Sequence, residues 1–456
     1  MTGGGTGGAG APRERLSGRI GFLMLAAGSA VGLGNVWRFP YVAGRNGGGA
    51  FVVVYLAFLI LLGFPLLAVE LGIGRGACRS LAAALAALAP PRLSRVWGRI
   101  GAVLAAGCFV LMIYYTDVAG WLLKYTGDYA RGAAPLDPSA AFSSLLASHA
   151  SGAAFTLAAV LVATLVCLAG VVKGVERATK FMMLSLLALL GVLAARALSL
   201  EGAAEGLSFY LKPDWARFME HPGDAVLDAM GQAFFTLSLG IGSMTICGSY
   251  VGREHSLVKE TAVVIAIDTA VALLAGLVVF PACATFGIPY TEGPGLIFVA
   301  LPNVFSKLAC GAFWGFLFFL FLAFAALTTV VAVFECLIAG LMDSLGMGRR
   351  LSSLLVGALV ALLAMPCVFF DGVMKWEDIA VSQVWLPVGA LLQGLFVTSS
   401  RWGWGWERFS AEVSAGSGWK MPRWMRWHVA VVVPILVLAL LASGLVPLVR
   451  SFLSPA

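Results

Sequence analysis

The sequence predicts an all-α membrane protein of about eleven transmembrane helices, and three observations carry that prediction. Apolar residues make up 60% of the 456 and charged residues only 12%, whereas a soluble chain is about a quarter charged. The apolar residues run in stretches of roughly 18–25 with few charges, the length that crosses ~30 Å of hydrocarbon. Mean hydropathy is +0.93, and lipid offers the backbone no hydrogen-bond partner, so such stretches must be helices.

The apolar segments fall near 17–45, 48–74, 97–125, 152–172, 180–200, 226–250, 259–286, 308–342, 351–370, 379–399 and 428–449. Ahead of them, residues 1–12 read as a disordered Gly-rich tail. That tail has no basic n-region and no cleavage site, so the first apolar stretch is expected to stay as a membrane helix. One membrane domain, 13–450, accounts for the rest.

Charge placement sets the expected orientation. Twenty of the 30 basic residues fall on one side: Arg13, Arg15, Arg19, Arg75, Arg79, Arg92, Arg95, Arg99, Lys173, Arg177, Lys180, Arg253, Lys259, Arg349, Arg350, Arg401, Arg408, Lys420, Arg423 and Arg426. The loop 201–225 on the other side is net acidic. The bias predicts an N-terminus in the cytoplasm and, with an odd number of spans, a C-terminus outside; the expected location is the plasma (inner) membrane.

Several function classes are disfavoured. The net charge of +7 lies in short loops rather than on a basic face interleaved with aromatics, so no nucleic-acid partner is expected. Eight scattered cysteines without a CxxC and four separated histidines indicate neither a zinc site nor a disulfide framework. No HExxH, phosphate loop or nucleophile–base set is present, so the chain does not read as an enzyme. A non-transporting sensor should carry a signalling domain, and a channel needs a continuous polar path; neither is legible.

Spans 1 and 6 share a peculiarity. The first contains Gly28-Ser29-Ala30-Val31-Gly32-Leu33-Gly34-Asn35 and the sixth Phe235-Thr236-Leu237-Ser238-Leu239-Gly240-Ile241-Gly242. Each Gly lowers helix propensity by up to ~1 kcal/mol. One such cluster is explained by close helix packing. A matched pair, each beside polar residues, predicts two five-helix halves of opposite orientation, about 17–200 and 226–400, with an extra helix at 428–449. Interrupted helices at equivalent places of an inverted repeat point to a midplane binding site.

The run from Gly28 to Pro40, followed by Asn46-Gly47-Gly48-Gly49-Ala50-Phe51, resembles the first-helix signature of the neurotransmitter:sodium symporter family. Gln232–Gly240 resembles its sixth helix and Ala325-Ala326-Leu327-Thr328-Thr329 its eighth. The resemblance spans residues 13 to 450 and is close to the bacterial amino-acid symporters of eleven spans. It implies the LeuT-type 5+5 inverted repeat, an architecture that a bacterial member of this family itself exemplifies. It also implies sodium as the coupling ion at two sites, and a small amino acid as the transported solute.

By this resemblance the amides around Gly32 and Gly34, with the Tyr115 hydroxyl, hold the substrate carboxylate, as a half-helix N-terminus can. Ser29, Ala30, Leu33, Leu111, Phe235, Thr236, Ser238, Ile241, Thr329 and Val333 complete the implied substrate site. The first sodium site would comprise Ala30, Asn35, Thr236 and Asp268; the second, Gly28, Val31, Ala325, Thr328 and Thr329. Such oxygen ligands suit a hard cation. The implied outer gate is Arg38 with Asp378, helped by Phe235 and Gln232; the inner gate is Arg13 with Asp343, buttressed by Tyr250.

Three positions sharpen the reading. Amine-transporting relatives carry an aspartate where this chain has Gly32, so a substrate bringing its own carboxylate is implied. Asp268 lies mid-span in Ile265-Ala266-Ile267-Asp268-Thr269, where an unpaired carboxylate costs ~2.5–3.5 kcal/mol or more. Chloride-dependent relatives have asparagine there, and Ala272 stands where their anion-binding serine would sit, which implies chloride independence. The aliphatic lining favours neutral, hydrophobic L-amino acids. Aromatic ones stay open because Ile241 replaces a phenylalanine, and an osmolyte or γ-amino acid is the alternative.

Overall fold

The computed structural model describes residues 16–289, 295–370 and 372–453, with side chains through 444. The tail 1–12 and Arg13 lie outside the described residues. Among those described, nine helices are long and apolar enough to cross a membrane, and one bent pair makes ten. The segment predicted at 226–250 is two short helices, Pro222–Thr236 and Ser243–Ser249. Neither reaches span length, so a count of eleven rests on taking them together.

Long spans follow the apolar stretches, with the largest shift at Val171, where the start was expected at 180: Gly49–Ala77, Pro91–Ala130, His149–Leu168, Val171–Leu198, Leu257–Phe286, Gly311–Leu345, Arg349–Phe369, Val373–Thr398 and Met425–Gly444. Their outward residues are large and apolar yet exposed, among them Ile60, Phe181 and Leu362. That is the pattern of a surface solvated by lipid rather than water.

Span 1 is broken into 1a (Arg19–Ala30) and 1b (Gly34–Arg45), which meet at 54°. Val31 leaves the helix with ψ 107°. Span 6 is broken into 6a (Pro222–Thr236) and 6b (Ser243–Ser249), joined by the non-helical residues 237–242. Spans 3 (Pro91–Ala130) and 8 (Gly311–Leu345) pack along each other, and span 8 also packs against 1a. The two breaks thus lie beside a packed pair of long helices.

Short helices between the spans were outside the sequence expectation: Leu81–Leu88, Pro138–Ala147, Ala203–Leu211, Leu296–Lys307 and Trp406–Val413. All are below span length, so hydropathy gave them no weight. Pro138–Ala147 starts by ordinary capping chemistry, with the Asp137 carboxylate accepting from the Ser139 and Ala140 amides at 3.0 and 3.1 Å.

Candidate functional site

Each break is held open by polar groups that replace the lost helix bonds. At span 6, Ser238 has φ 48° and Gly240 φ 99°. A Cβ on Gly240 would stand 2.1 Å from the Leu386 carbonyl oxygen, so only glycine fits there. The freed Gly240 peptide is satisfied on both ends. Its N–H donates to the Glu70 carboxylate, and its carbonyl accepts from Gln393 Nε2 at 3.0 Å. Glu70 and Gln393 are both buried. Sequence reading missed them, although a carboxylate inside span 2 is itself a signal of function.

The span 1 break is tied to spans 3, 6 and 7. The Leu33 N–H donates to the Tyr115 hydroxyl at 3.0 Å, and Gln232 Nε2 donates to the Gly34 carbonyl at 2.8 Å. Ser238 Oγ donates to the Ser29 carbonyl at 3.4 Å, joining the breaks directly. At Gly32 a Cβ would lie 2.4 Å from Tyr115 Oη and 2.7 Å from Thr329 Oγ1. The main chain therefore approaches both hydroxyls as closely as it can.

Between the breaks lies a cavity of about 20 Å³, lined by Ala30, Gly32, Gly34, Leu111, Tyr115, Phe235, Ser238, Thr329 and Leu386. That volume admits about one water. Leu386 was not foreseen, since only folding brings span 10 here. Above it, a vestibule of about 380 Å³ is lined by Leu33, Trp37, Arg38, Tyr41, Tyr114, Tyr115, Phe235 and Asp378, among others. Phe235 and Tyr115 line both chambers, so they form the partition. Ile241 and Val333 are buried but do not line the small cavity. The Ile241 carbonyl instead accepts from the Cys108 thiol at 3.4 Å.

Two oxygen clusters flank the cavity. In one, the fully buried Asp268 accepts from Asn35 Nδ2 at 2.8 Å and from Thr236 Oγ1 at 3.0 Å. Asn35 Oδ1 accepts from the Gly32 N–H at 3.0 Å, which ties this cluster to the break. In the other, Thr329 Oγ1 lies 3.3 Å from both the Gly28 and Val31 carbonyl oxygens and 3.4 Å from that of Ala325. Thr328 Oγ1 lies 2.9 Å from the same Ala325 oxygen. Three carbonyls and two hydroxyls thus converge without nitrogen or sulfur. Such a donor set fits a hard, weakly polarising cation and not a transition metal.

The outer pair is apart: among the described residues no ion pair within 4.0 Å joins Arg38 to Asp378. Arg38 lies over the Phe235 ring at 4.8 Å, and Asp378 accepts from the Tyr114 hydroxyl at 3.1 Å. On the inner side, an Asp343 carboxylate oxygen accepts from the Ser80 N–H at 2.6 Å. Tyr250 donates to the buried Glu335, which also holds Arg349 at 2.6 Å. Glu335 and Arg349 were not singled out in the sequence. A cavity of about 310 Å³ opens here beside Ser17, Arg19, Tyr250, Glu254 and Glu260.

Comparison with known proteins agrees with this geometry. The profile of the sodium:neurotransmitter symporter family matches residues 13–135 and 148–453. An uncharacterized sodium-dependent transporter of Bacillus subtilis (strain 168), YhdH, is 38% identical over 394 residues, covering 83% of this chain and 86% of that one. An uncharacterized sodium-dependent transporter of Methanocaldococcus jannaschii is 31% identical, covering 94% and 89%. The crystal structure of MhsT in complex with L-phenylalanine superposes with a TM-score of 0.84 at 34% identity, covering 95% of this chain and all of that one. The chain belongs to the sodium:neurotransmitter symporter family, as a multi-pass, sodium-dependent transporter of the LeuT fold.

Proposed function

We propose that the protein imports neutral, hydrophobic L-amino acids together with two sodium ions by alternating access, independently of chloride. The observation that carries this reading is the small chamber between the two breaks, with an oxygen cluster on either side. Peptide amides and the Tyr115 hydroxyl suit a carboxylate, while Leu111, Phe235 and Leu386 suit an apolar side chain. MhsT, at 34% identity, was crystallised with L-phenylalanine, which favours an α-amino acid of aliphatic or aromatic type.

Asp268 supplies a fixed negative charge in the proposed first sodium site, so no anion is needed there. The second proposed site ties 1a to span 8 through Gly28, Val31 and Thr329, so losing its ion frees 1a to move. Solute enters from the vestibule past Phe235 and leaves towards the inner cavity. The bias of basic residues favours a cytoplasmic N-terminus, with that inner cavity on the same side. Each charge crossing 100 mV supplies ~2.3 kcal/mol, so two ions supply ~4.6. At ~1.4 kcal/mol per tenfold, that supports roughly thousand-fold accumulation of a neutral solute.

Uptake of labelled leucine and phenylalanine into proteoliposomes tests the reading. A sodium gradient should drive accumulation, choline in place of sodium should abolish it, and gluconate in place of chloride should leave it unchanged. Competition by unlabelled amino acids, osmolytes and γ-amino acids identifies the class. Equal uptake in potassium would overturn the coupling, and competition only by osmolytes or γ-amino acids would overturn the substrate class.

A further inference from the structure

The segment 419–427, which leads into and opens span 11, has two unlike faces. Met421 and Met425 are buried and anchor it to the protein, followed by Val429. Trp419, Trp424 and Trp427 point away and are 59, 61 and 74% exposed. Lys420, Arg423 and Arg426 are exposed among them. Arg426 pairs with the exposed Glu407 at 3.2 Å, while Lys420 and Arg423 have no carboxylate within 4.0 Å among the described residues. With the methionines buried, the three indoles have no core to enter.

Location fixes what covers this face. Span 11 begins at Met425, so the segment lies where the chain enters the bilayer. Indoles prefer that boundary, with the ring among acyl carbons and the N–H among headgroups. Guanidinium groups there bind phosphate oxygens in bidentate fashion. Phosphatidylglycerol and cardiolipin present phosphates without a cation of their own; phosphatidylcholine does not.

The same segment is strapped to the inner cavity. Ser417 N–H donates to the Glu254 carbonyl at 2.9 Å, Ser256 N–H donates to the Ser417 carbonyl at 3.1 Å, and Ser256 Oγ donates to the Trp419 carbonyl. Arg75, itself buried, donates to the His255 carbonyl at 2.8 Å and to Glu412 at 2.9 Å. Residues 251–256 follow 6b directly, and Glu254 and His255 line the inner cavity. Residues 417–419 are therefore hydrogen-bonded to the stretch of chain that leads away from 6b.

We propose that segment 419–427 is a docking surface for anionic phospholipid headgroups of the leaflet it faces, and that lipid held there steadies the 254–256 strap and so sets the rate of inner opening. The binding half stands without the transport reading; the rate half rests on it.

The full chain is reconstituted in phosphatidylcholine alone or with phosphatidylglycerol. Tryptophan quenching by brominated phosphatidylglycerol is compared with quenching by brominated phosphatidylcholine. Each basic residue near an anionic surface is worth roughly fivefold in binding. The wild type should prefer the anionic lipid at least fivefold. Lys420→Gln/Arg423→Gln/Arg426→Gln should lose that preference, while Lys212→Gln/Arg217→Gln on the opposite side keeps it. Phosphatidylglycerol should raise the sodium-driven uptake rate of the wild type several-fold and that of the triple variant hardly at all. Equal quenching by both lipids, or an unchanged preference in the triple variant, overturns the docking surface. Lost preference with an unchanged rate overturns the coupling. No sodium-driven uptake in any lipid would instead count against the transport reading, since quenching needs no solute.

Discussion

Asn35 donates its side-chain amide to the Asp268 carboxylate at 2.8 Å, across a contact in which both residues are fully buried. One helix break is thereby fastened to an intramembrane negative charge, and Thr236 from the other break reaches the same carboxylate. A cation placed among these oxygens would neutralise a charge that is otherwise costly to bury.

Asp268→Asn removes that charge while keeping its shape. Hydrogen bonds to charged groups are worth ~1.5–3 kcal/mol, so a ten- to hundredfold weaker sodium dependence of uptake is expected. Wild-type uptake should be indifferent to replacing chloride by gluconate. Variant uptake equal to wild type in both buffers would sink the role proposed for Asp268.

Thr329 serves the other cluster. Thr329→Val keeps the volume but deletes the oxygen that faces the Gly28 and Val31 carbonyls; Thr329→Ser keeps the oxygen. Sodium-dependent thermal stabilisation should be lost in the first and largely retained in the second. Similar behaviour of the two variants would mean that packing, not ligation, explains the residue.

Gly32→Ala tests the close approach of main chain to hydroxyls. Its Cβ would fall 2.4 Å from Tyr115 Oη and 2.7 Å from Thr329 Oγ1, so span 1 must shift at the heart of the site. Substrate binding should fall at least tenfold, with less than a twofold change in protein yield. Normal binding would show that the carboxylate is held elsewhere.

Much of this fold was legible because membrane solvation is a strict rule. Apolar length gave the spans, and Gly-Ser clusters gave both breaks. Asp268 stood out as a carboxylate within an apolar stretch. Glu70 carries the same signal between Val69 and Leu71 and yet was passed over, because its partner is a peptide group that only the broken geometry frees. Leu386 and Tyr114 were hidden for a different reason. Their roles come from distant segments meeting, and nothing in their local sequence differs from ordinary core. The short helices escaped because length and hydropathy are silent about short elements.

Glu70→Leu should therefore be among the most damaging changes outside the cavity. It leaves the Gly240 N–H buried without its acceptor, at a cost of about 1–3 kcal/mol, at the point where span 6 must stay unwound. Glu70→Gln preserves an acceptor and should retain a measurable fraction of uptake. Thermal unfolding and uptake measured on both variants decide it: equal loss in the two would mean that the charge, rather than the hydrogen bond to Gly240, is what matters.

The outer gate yields the last expectation. Asp378 is bonded to Tyr114 and Arg38 rests on Phe235, so closing the vestibule requires both side chains to exchange partners. Solvent-exposed ion pairs contribute only ~0–1 kcal/mol, and these two half-buried side chains open onto the vestibule, so an effect of about fivefold is expected. Asp378→Asn should accordingly slow maximal uptake a few-fold while leaving equilibrium sodium affinity within about twofold, because the residue touches neither oxygen cluster. Tyr114→Phe releases Asp378 from its present partner and should move the rate in the opposite direction. A hundredfold loss of sodium affinity in Asp378→Asn would place this carboxylate in ion binding rather than gating, and the partner exchange drawn here would be wrong.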